Sequence, residues 1–349
     1  MKITFISGPL IPQKCGITDH INTLCLELCS LGHEVEKIEF EEFIDQFHSS
    51  INGHFSDFYS IQFAPYSFST GGLSGNKLIN LCKLLKFNNT HVNFHEIWIG
   101  EYKNASILEK LYGWKQKREI VSFIKRLNPN LVTSSNSASI YRLKKVGIDA
   151  KYLYLFGNFP PNDENDLIFD KINPNETNSL KVAIFGTLYE NFPYDLLGKK
   201  LDEISRQLKR TIELNVIGLQ RDNKGLHKLK IIADELSFNF KESGKLPSSS
   251  ISKLISSCNL GISTTPLDVL GKSSATAAML EHGLPILCYD DKDAPKNELF
   301  IFERFKNHVF NIDYNKSYNR EIINTINSPK KICFNGVSYT ANRLMELMS

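Results

Sequence analysis

Between residues 261 and 287 the chain reads GISTTPLDVLGKSSATAAMLEHGLPIL. Asp268, Gly271, Lys272, Ser273 and Ser274 fall between a strand-like run and a small-residue segment that reads as a helix. The first turn of a helix carries unpaired N–H groups and the positive end of the dipole, so a cation there calls for a negative companion. Backbone amides, two hydroxyls and an ammonium converging on one point make an anion site of the kind a phosphate fills. The same residues also fit a plain helix start, with Ser273 or Ser274 as cap and Lys272 in water. A P-loop does not fit, because GxxxxGK[ST] requires glycine at 266 and that residue is Pro266.

Further loops carry chemistry-bearing types. Pro12 to Asp19, PQKCGITD, joins a strand-like run to a helical one. There Gly16 lets backbone amides approach a phosphate, and Asp19 stands near the helix start; a turn glycine with Thr18 or Asp19 as cap fits equally well. The dinucleotide pattern GxGxxG is absent. His95 and Glu96 follow THVNF, which places the imidazole at the carboxyl end of a strand, where it suits polar contact or general-base work. Gly186 and Thr187 close IFGT, and Gly218 closes NVIG. Each is a strand-end turn that also admits a ligand close to the backbone. Asp290, Asp291 and Asp293 lie in YDDKDAP; a DxD triplet holds a divalent cation, but turn chemistry favours an exposed acidic turn. Residues 110–127, KLYGWKQKREIVSFIKRL, set Lys110, Lys115, Lys117, Arg118, Lys125 and Arg126 against Glu119, with Trp114 and Phe123 interleaved. That pattern could lie on an anionic membrane surface, but an ordinary solvated helix face is the favoured reading.

The elements that must position these residues alternate along the chain. KITFIS, a loop, a helix with Ile21, Leu24, Cys25 and Leu28 at helical spacing, and HEVEKIEF form a β-loop-α-β unit, which predicts a parallel sheet. The alternation continues to KYLYLFGNFP, pauses over the Pro-, Asn- and Asp-rich residues 158–180, and restarts at LKVAIFGT. Two Rossmann-like α/β/α domains are expected, residues 1–160 and 181–330, joined by a linker over 161–180 and followed by a C-terminal segment and helix over 331–349. With 349 residues the chain is long enough for two cores. A net charge of +3 argues against a uniformly basic nucleic-acid binder, so no nucleic-acid partner is expected. Seven cysteines without CxxC spacing predict reduced thiols rather than disulfides or zinc. MKITFISGPLIP is too short in apolar run for a signal peptide, and no run reaches the length of a membrane span, so a cytoplasmic protein is expected.

Taken in order, these stretches resemble the GT-B glycosyltransferases, and among them the family 4 type. The likeness runs through the N-terminal glycine loop with its helix ending in LGHEV, the His95-Glu96 pair, LVTSSNSASIYRLKKVG with FGNFP, IFGT, GKLPSSSISKLISSCNLGIST and PLDVLGKSSATAAMLEHGLPI. It implies a GT-B fold, two Rossmann-like domains facing across a cleft, and transfer of a sugar from a nucleoside-diphosphate sugar to a glycan, lipid-linked or protein acceptor. No tightly bound cofactor and no metal are implied. By this resemblance Asp268, with the Leu270-Gly271 backbone, holds the sugar, and Lys272, Ser273 and Ser274 hold the diphosphate. Gly16, Gly186 and Thr187 lie along the donor, and Lys245 and Leu246 meet the base. His95 is similar to the family's cleft histidine. The candidate catalytic residues are His95, Asp19 and Asp268, with His95 or Asp19 contacting the sugar or the acceptor, and Glu96 lies on the acceptor side. The family motif has two glutamates separated by seven residues, the second binding ribose; here the first is Asp268, Thr276 stands in the second place, and Glu281 is out of register. An epimerase acting on nucleotide sugars and a non-catalytic binding protein of the same fold are the alternatives.

Overall fold

Runs such as FYSIQF and THVNF are buried at every position, the mark of strands covered on both faces. In this computed structural model, which describes residues 1–10, 16–49, 56–69, 71–101, 105–161, 168–170, 178–220, 223–290, 303–313, 317–328 and 330–349, the chain divides into two units. One comprises Met1–Tyr154 with the C-terminal Val337–Ser349; the other lies between, from Leu155 to Gly336.

The first unit runs β1 (Lys2–Ser7), α1 (Gly16–Ser30), β2 (Glu34–Glu39), α2 (Phe40–Ser49), β3 (Phe58–Phe63), α3 (Pro65–Phe68), α4 (Gly75–Leu84), β4 (Thr90–Phe94), α5 (Ile107–Leu127), β5 (Leu131–Ser134), α6 (Ser137–Lys145) and β6 (Lys151–Tyr152). Its six strands are parallel, in the order β2-β1-β3-β4-β5-β6. α1 buries Ile21, Leu24, Cys25 and Leu28, the stripe that its spacing predicts. On one face of the sheet Tyr59, Ile61, Phe63, Val92, Phe94 and Val132 share a core with α2, α4 and α5.

The second unit runs β7 (Ile168–Asp170), β8 (Ser179–Phe185), α7 (Tyr194–Leu208), β9 (Thr211–Ile217), α8 (Asn223–Glu235), β10 (Asn239–Glu242), α9 (Ser248–Ser256), β11 (Leu260–Ile262), α10 (Ser274–Glu281), β12 (Ile286–Cys288), β13 (Val309–Asn311), α11 (Ser317–Ile326) and β14 (Lys330–Ile332). Its main sheet is parallel in the order β10-β9-β8-β11-β12-β13. The last helix, α12 (Gly336–Met348), returns to the first unit, where Thr340 donates to the carbonyl of Tyr154 (3.0 Å).

The structure adds two elements that the sequence reading does not name: β13, a sixth strand beyond β12, and α2, which follows β2 without a break. One reading is corrected. The segment 158–180 is not wholly irregular, since β7 pairs antiparallel with β14.

Both main sheets reverse their strand order beside their first strand, between β1 and β3 and between β8 and β11. Counted within the second unit the order is 3-2-1-4-5-6, the Rossmann arrangement. At such a reversal the connecting loops leave towards opposite faces and open a crevice at the carboxyl ends of the strands.

Candidate active site

In the second unit the loops that leave β8 and β11 are tied together. Gly186 ends β8 with φ +99°, and a Cβ there would lie 2.9 Å from that of Ala275, so conformation and space both require glycine. Its carbonyl accepts from Gln220 Nε2 (3.0 Å), whose Oε1 accepts from Leu188 N (3.3 Å). The Thr264 hydroxyl donates to the carbonyl of Thr187, directly joining the two loops. From Pro266 the chain winds into a 3-10 turn, Leu267–Lys272, pinned by Leu267 N to the carbonyl of Tyr289 (2.9 Å) and by the buried Leu270. Asp268, Leu270, Gly271, Lys272, Ser273 and Ser274 thus lie in the connection from β11 to α10, whose first turn meets Gly186 at Ala275.

Ser273 is the cap of α10, its Oγ accepting from Thr276 N (3.1 Å). Thr276 Oγ1 donates to the same oxygen (2.8 Å) and pairs with Ser263 Oγ (2.7 Å). With both its lone pairs used, the Ser273 hydroxyl has its proton left for an acceptor beyond the cap. Thr276 is buried, its hydroxyl spent inside the protein. Glu281 is buried as well and accepts from Gly157 N (2.9 Å). Lys245 and Leu246 follow β10 at the same end of the sheet, beyond an isolated bridge between Gly218 and Gly244, two strands away from β8.

In the first unit the end of β4 meets the start of α1. Gly16 opens α1 and is exposed, with open space where a Cβ would stand. Asp19 lies in the first turn of α1, half-buried, and Glu96 is exposed. The His20 ring meets that of His95 edge-on, centroids 5.4 Å apart. His95 attaches to a closed ring of hydrogen bonds across three strands. Gln62 Nε2 donates to Ser60 Oγ (2.8 Å), which lies 2.9 Å from His91 Nδ1. His91 Nε2 reaches Thr133 Oγ1 (2.8 Å), which donates to Asn93 Oδ1 (2.9 Å). Asn93 Nδ2 returns to Gln62 Oε1 (3.0 Å), and His95 Nε2 lies 2.8 Å from that same oxygen.

His95 Nε2 meets an acceptor, Gln62 Oε1 at 2.8 Å, and a donor, Asn93 Nδ2 at 3.2 Å; the shorter contact favours the proton on Nε2, with a lone pair at Nδ1. Burial lowers the His95 pKa to about 4. Burial first, and the His95 ring second, lower that of His91 to about 3. His20 is pushed well below the ordinary imidazole value by the same two causes. All three rings are therefore neutral at physiological pH.

Sequence reasoning singled out His95 but not the ring that holds it. A signal was present: His91 and Asn93 on β4, with His95 just beyond its end, recur with period two, as do Ser60 and Gln62 on β3, so the strand residues share one face of the sheet.

The acidic turn at 290 is described only at Asp290; Asp291 and Asp293 lie outside the described residues, as does the Pro12–Cys15 part of the first glycine loop. Among the described residues no group of three His, Cys, Asp or Glu is placed to hold a metal. The described cysteines, Cys25, Cys29, Cys82, Cys258, Cys288 and Cys333, are free thiols. Among the described residues no helix is long and apolar enough to cross a membrane.

No protein-family model matches the chain, and no curated protein matches its sequence. Solved structures do match its fold over nearly the whole length. Anabaena HepE, in complex with UDP and glucose, is 14% identical with a TM-score of 0.55, covering 100% of this chain and 96% of that one. An alpha-glucosyltransferase in complex with UDP and a 13-mer DNA is 12% identical with a TM-score of 0.53, covering 100% and 99%. A putative UDP-N-acetylglucosamine 2-epimerase from Listeria monocytogenes is 11% identical with a TM-score of 0.51, covering 99% and 94%. At this identity the likeness shows the fold: two Rossmann-like α/β/α units of the GT-B class.

Proposed function

We propose that the chain is a GT-B glycosyltransferase that takes a sugar from a nucleoside-diphosphate donor. The observation that carries this reading is the pair of joined loops after β8 and β11, which sets a lysine, a serine hydroxyl and a helix N-terminus at the strand-order reversal of a Rossmann sheet. UDP in the structures of similar fold supports it. In this reading Lys272, Ser273 and Ser274 stabilise the leaving diphosphate electrostatically, without a metal or a tightly bound cofactor. Asp268 and the Leu270-Gly271 backbone orient the sugar hydroxyls, and Gly186 and Thr187 admit the donor close to the strand end. Gly16 approaches the phosphates, and Lys245 with Leu246 meets the base.

With Asp268, His95 and Asp19 make the catalytic set, His95 or Asp19 contacting the sugar or the acceptor, and Glu96 stands on the acceptor side. A neutral imidazole with a pKa of about 4 is a weak base, which favours hydrogen-bond contact over proton abstraction for His95. The acceptor is a glycan, a lipid-linked glycan or a protein, and residues 110–127 bring a cytoplasmic enzyme to the inner membrane face as a peripheral protein.

Thermal-shift titration with UDP and UDP-glucose tests the donor site, because a ligand of the native state raises its stability by mass action. Lys272→Ala is expected to weaken UDP binding about tenfold, roughly the 1.4 kcal/mol of one charge-assisted contact. An unchanged affinity overturns the phosphate assignment. Epimerised donor, formed without any acceptor, would establish the epimerase instead; tight donor binding with no turnover against any acceptor would establish a binding protein.

A further inference from the structure

Helix α5 carries an apolar stripe on the wrong side. Its buried residues, Gly113, Gln116, Ile120, Phe123, Ile124 and Leu127, form one face. On a helix of 3.6 residues per turn the opposite face passes through Ile107, Leu111, Trp114 and Arg118. Solvent-facing positions are ordinarily polar, yet Ile107 is 77% exposed, Leu108 70%, Leu111 54% and Trp114 53%. With Tyr112, five of the fourteen large hydrophobic residues exposed among the described residues fall between 107 and 114. The others are scattered singly, which is ordinary for a protein surface.

The stripe is held helical without being buried. Ser106 and Glu109 form a capping box, Ser106 N to Glu109 Oε2 at 2.7 Å and Glu109 N to Ser106 Oγ at 3.2 Å. Gln116 on the buried side accepts from Ile99 N (3.1 Å) and anchors the third turn.

Cations surround the stripe. Lys110, Lys115 and Lys125 are exposed, and the Arg118 guanidinium lies 4.7 Å from the centre of the Trp114 ring. Neither acid of the helix answers them: Glu109 is taken up in the capping box and Glu119 accepts from Ser74 N (2.8 Å). Beside the stripe, Arg118, Lys125 and Arg126, together with Lys117, which pairs with Glu101 Oε1 (3.2 Å), line a groove with Val121 and Val146. A convex apolar ridge with an indole, flanked by long cationic side chains, matches a bilayer surface: the ridge enters the acyl boundary while the amines and guanidinium reach anionic headgroups.

We infer that the first half of α5, residues 107–118, docks this protein on an anionic phospholipid bilayer, with Ile107, Leu108, Leu111 and Trp114 as the inserted ridge. This rests on the peripheral-enzyme reading above and moves its centre from the basic residues 110–127 to the apolar start of the helix. The chain has two tryptophans, and Trp98 is 3% exposed, so a fluorescence change on docking reports Trp114.

The full chain is sedimented with vesicles of equimolar phosphatidylglycerol and phosphatidylcholine, and separately with vesicles of phosphatidylcholine alone. Binding to the anionic vesicles, a blue-shifted tryptophan emission, and release as salt is raised are expected. The double variant Ile107→Gln/Leu111→Gln, both exposed positions that leave packing intact, is expected to lose at least tenfold in partition. No binding to anionic vesicles, equal binding to neutral ones, unshifted emission, or a double variant that binds as well as the parent overturns the inference. So does self-association through this face, seen as a dimer that the double variant abolishes. UDP binding is measured on the same samples: vesicle binding lost with UDP binding intact leaves the donor reading standing, and the reverse removes the donor reading alone.

Discussion

By the sequence resemblance Thr276 would stand where the glycosyltransferase motif carries its second glutamate, and the structure gives it a different task. Thr276 Oγ1 donates to Ser273 and accepts from Ser263, while Ser263 Oγ also receives Thr265 N (3.3 Å). The hydroxyl therefore links the end of β11 to the cap of α10. Thr276→Val keeps the side-chain shape and removes this link. The buried Ser263 O–H is left without an acceptor, at a cost of about 1–3 kcal/mol, and the lost bond to Ser273 adds about 1 kcal/mol. A loss of about 2–4 kcal/mol in all lowers the melting temperature by at least about 4 °C for a unit of this size. Urea denaturation followed by circular dichroism measures it, with Thr276→Ser, which keeps the hydroxyl, as the control. Thr276→Glu should not tighten UDP binding, because it buries a carboxylate where the side chain is 2% exposed. An unchanged denaturation midpoint for Thr276→Val, together with weakened UDP binding, would refute the structural assignment and return Thr276 to the ribose.

Two further outcomes follow from packing and charge. The folded pKa values of His91 and His95, about 3 and about 4, lie below the unfolded value of 6.5. Their contribution to stability is therefore complete above pH 6.5 and is lost as pH falls from there towards 4, at about 1.4 kcal/mol per pH unit for each ring that stays neutral. Imidazole resonances assigned to His91 or His95 that titrate near 6.5 in the folded protein would contradict this. Gly157→Ala places a Cβ 2.4 Å from the Ala278 Cα, so α10 must shift. A loss of roughly 2–3 kcal/mol is expected in urea denaturation, whereas Gly71→Ala, with open space around it, should stay within about 0.5 kcal/mol. Equal midpoints for the two variants would contradict the packing of Gly157.

The alternation of strands and helices is legible because burial imposes two periods on the sequence, and the stripe Ile21, Leu24, Cys25 and Leu28 is buried as its spacing requires. α2 is harder to read although Phe40, Phe43, Ile44 and Phe47 stand at helical spacing. It begins on the residue after β2, with no turn signal to separate the two. β7 and β14 are three residues each and pair across more than half of the second unit, a contact that no local pattern records. At the candidate site the loop residues are legible by type, since glycine, lysine and serine at a strand end suggest an anion. The ring around His95 is not, because its members come from three strands and only the fold brings Gln62, Asn93 and Thr133 together.

The return of α12 to the first unit bears on how the protein is made. Ala341, Leu344 and Thr340 of that helix are fully buried, and Thr340 closes on Tyr154. Ribosomal synthesis must therefore add about 200 residues after Tyr154 before the first unit can finish, some 10–40 s at ordinary rates of about 5–20 residues per second. The second unit, whose strands all emerge earlier, can close first. For that interval the nascent first unit displays the apolar surface that α12 later covers, a surface that chaperones recognise. A ribosome stalled anywhere before residue 337 would leave it uncovered.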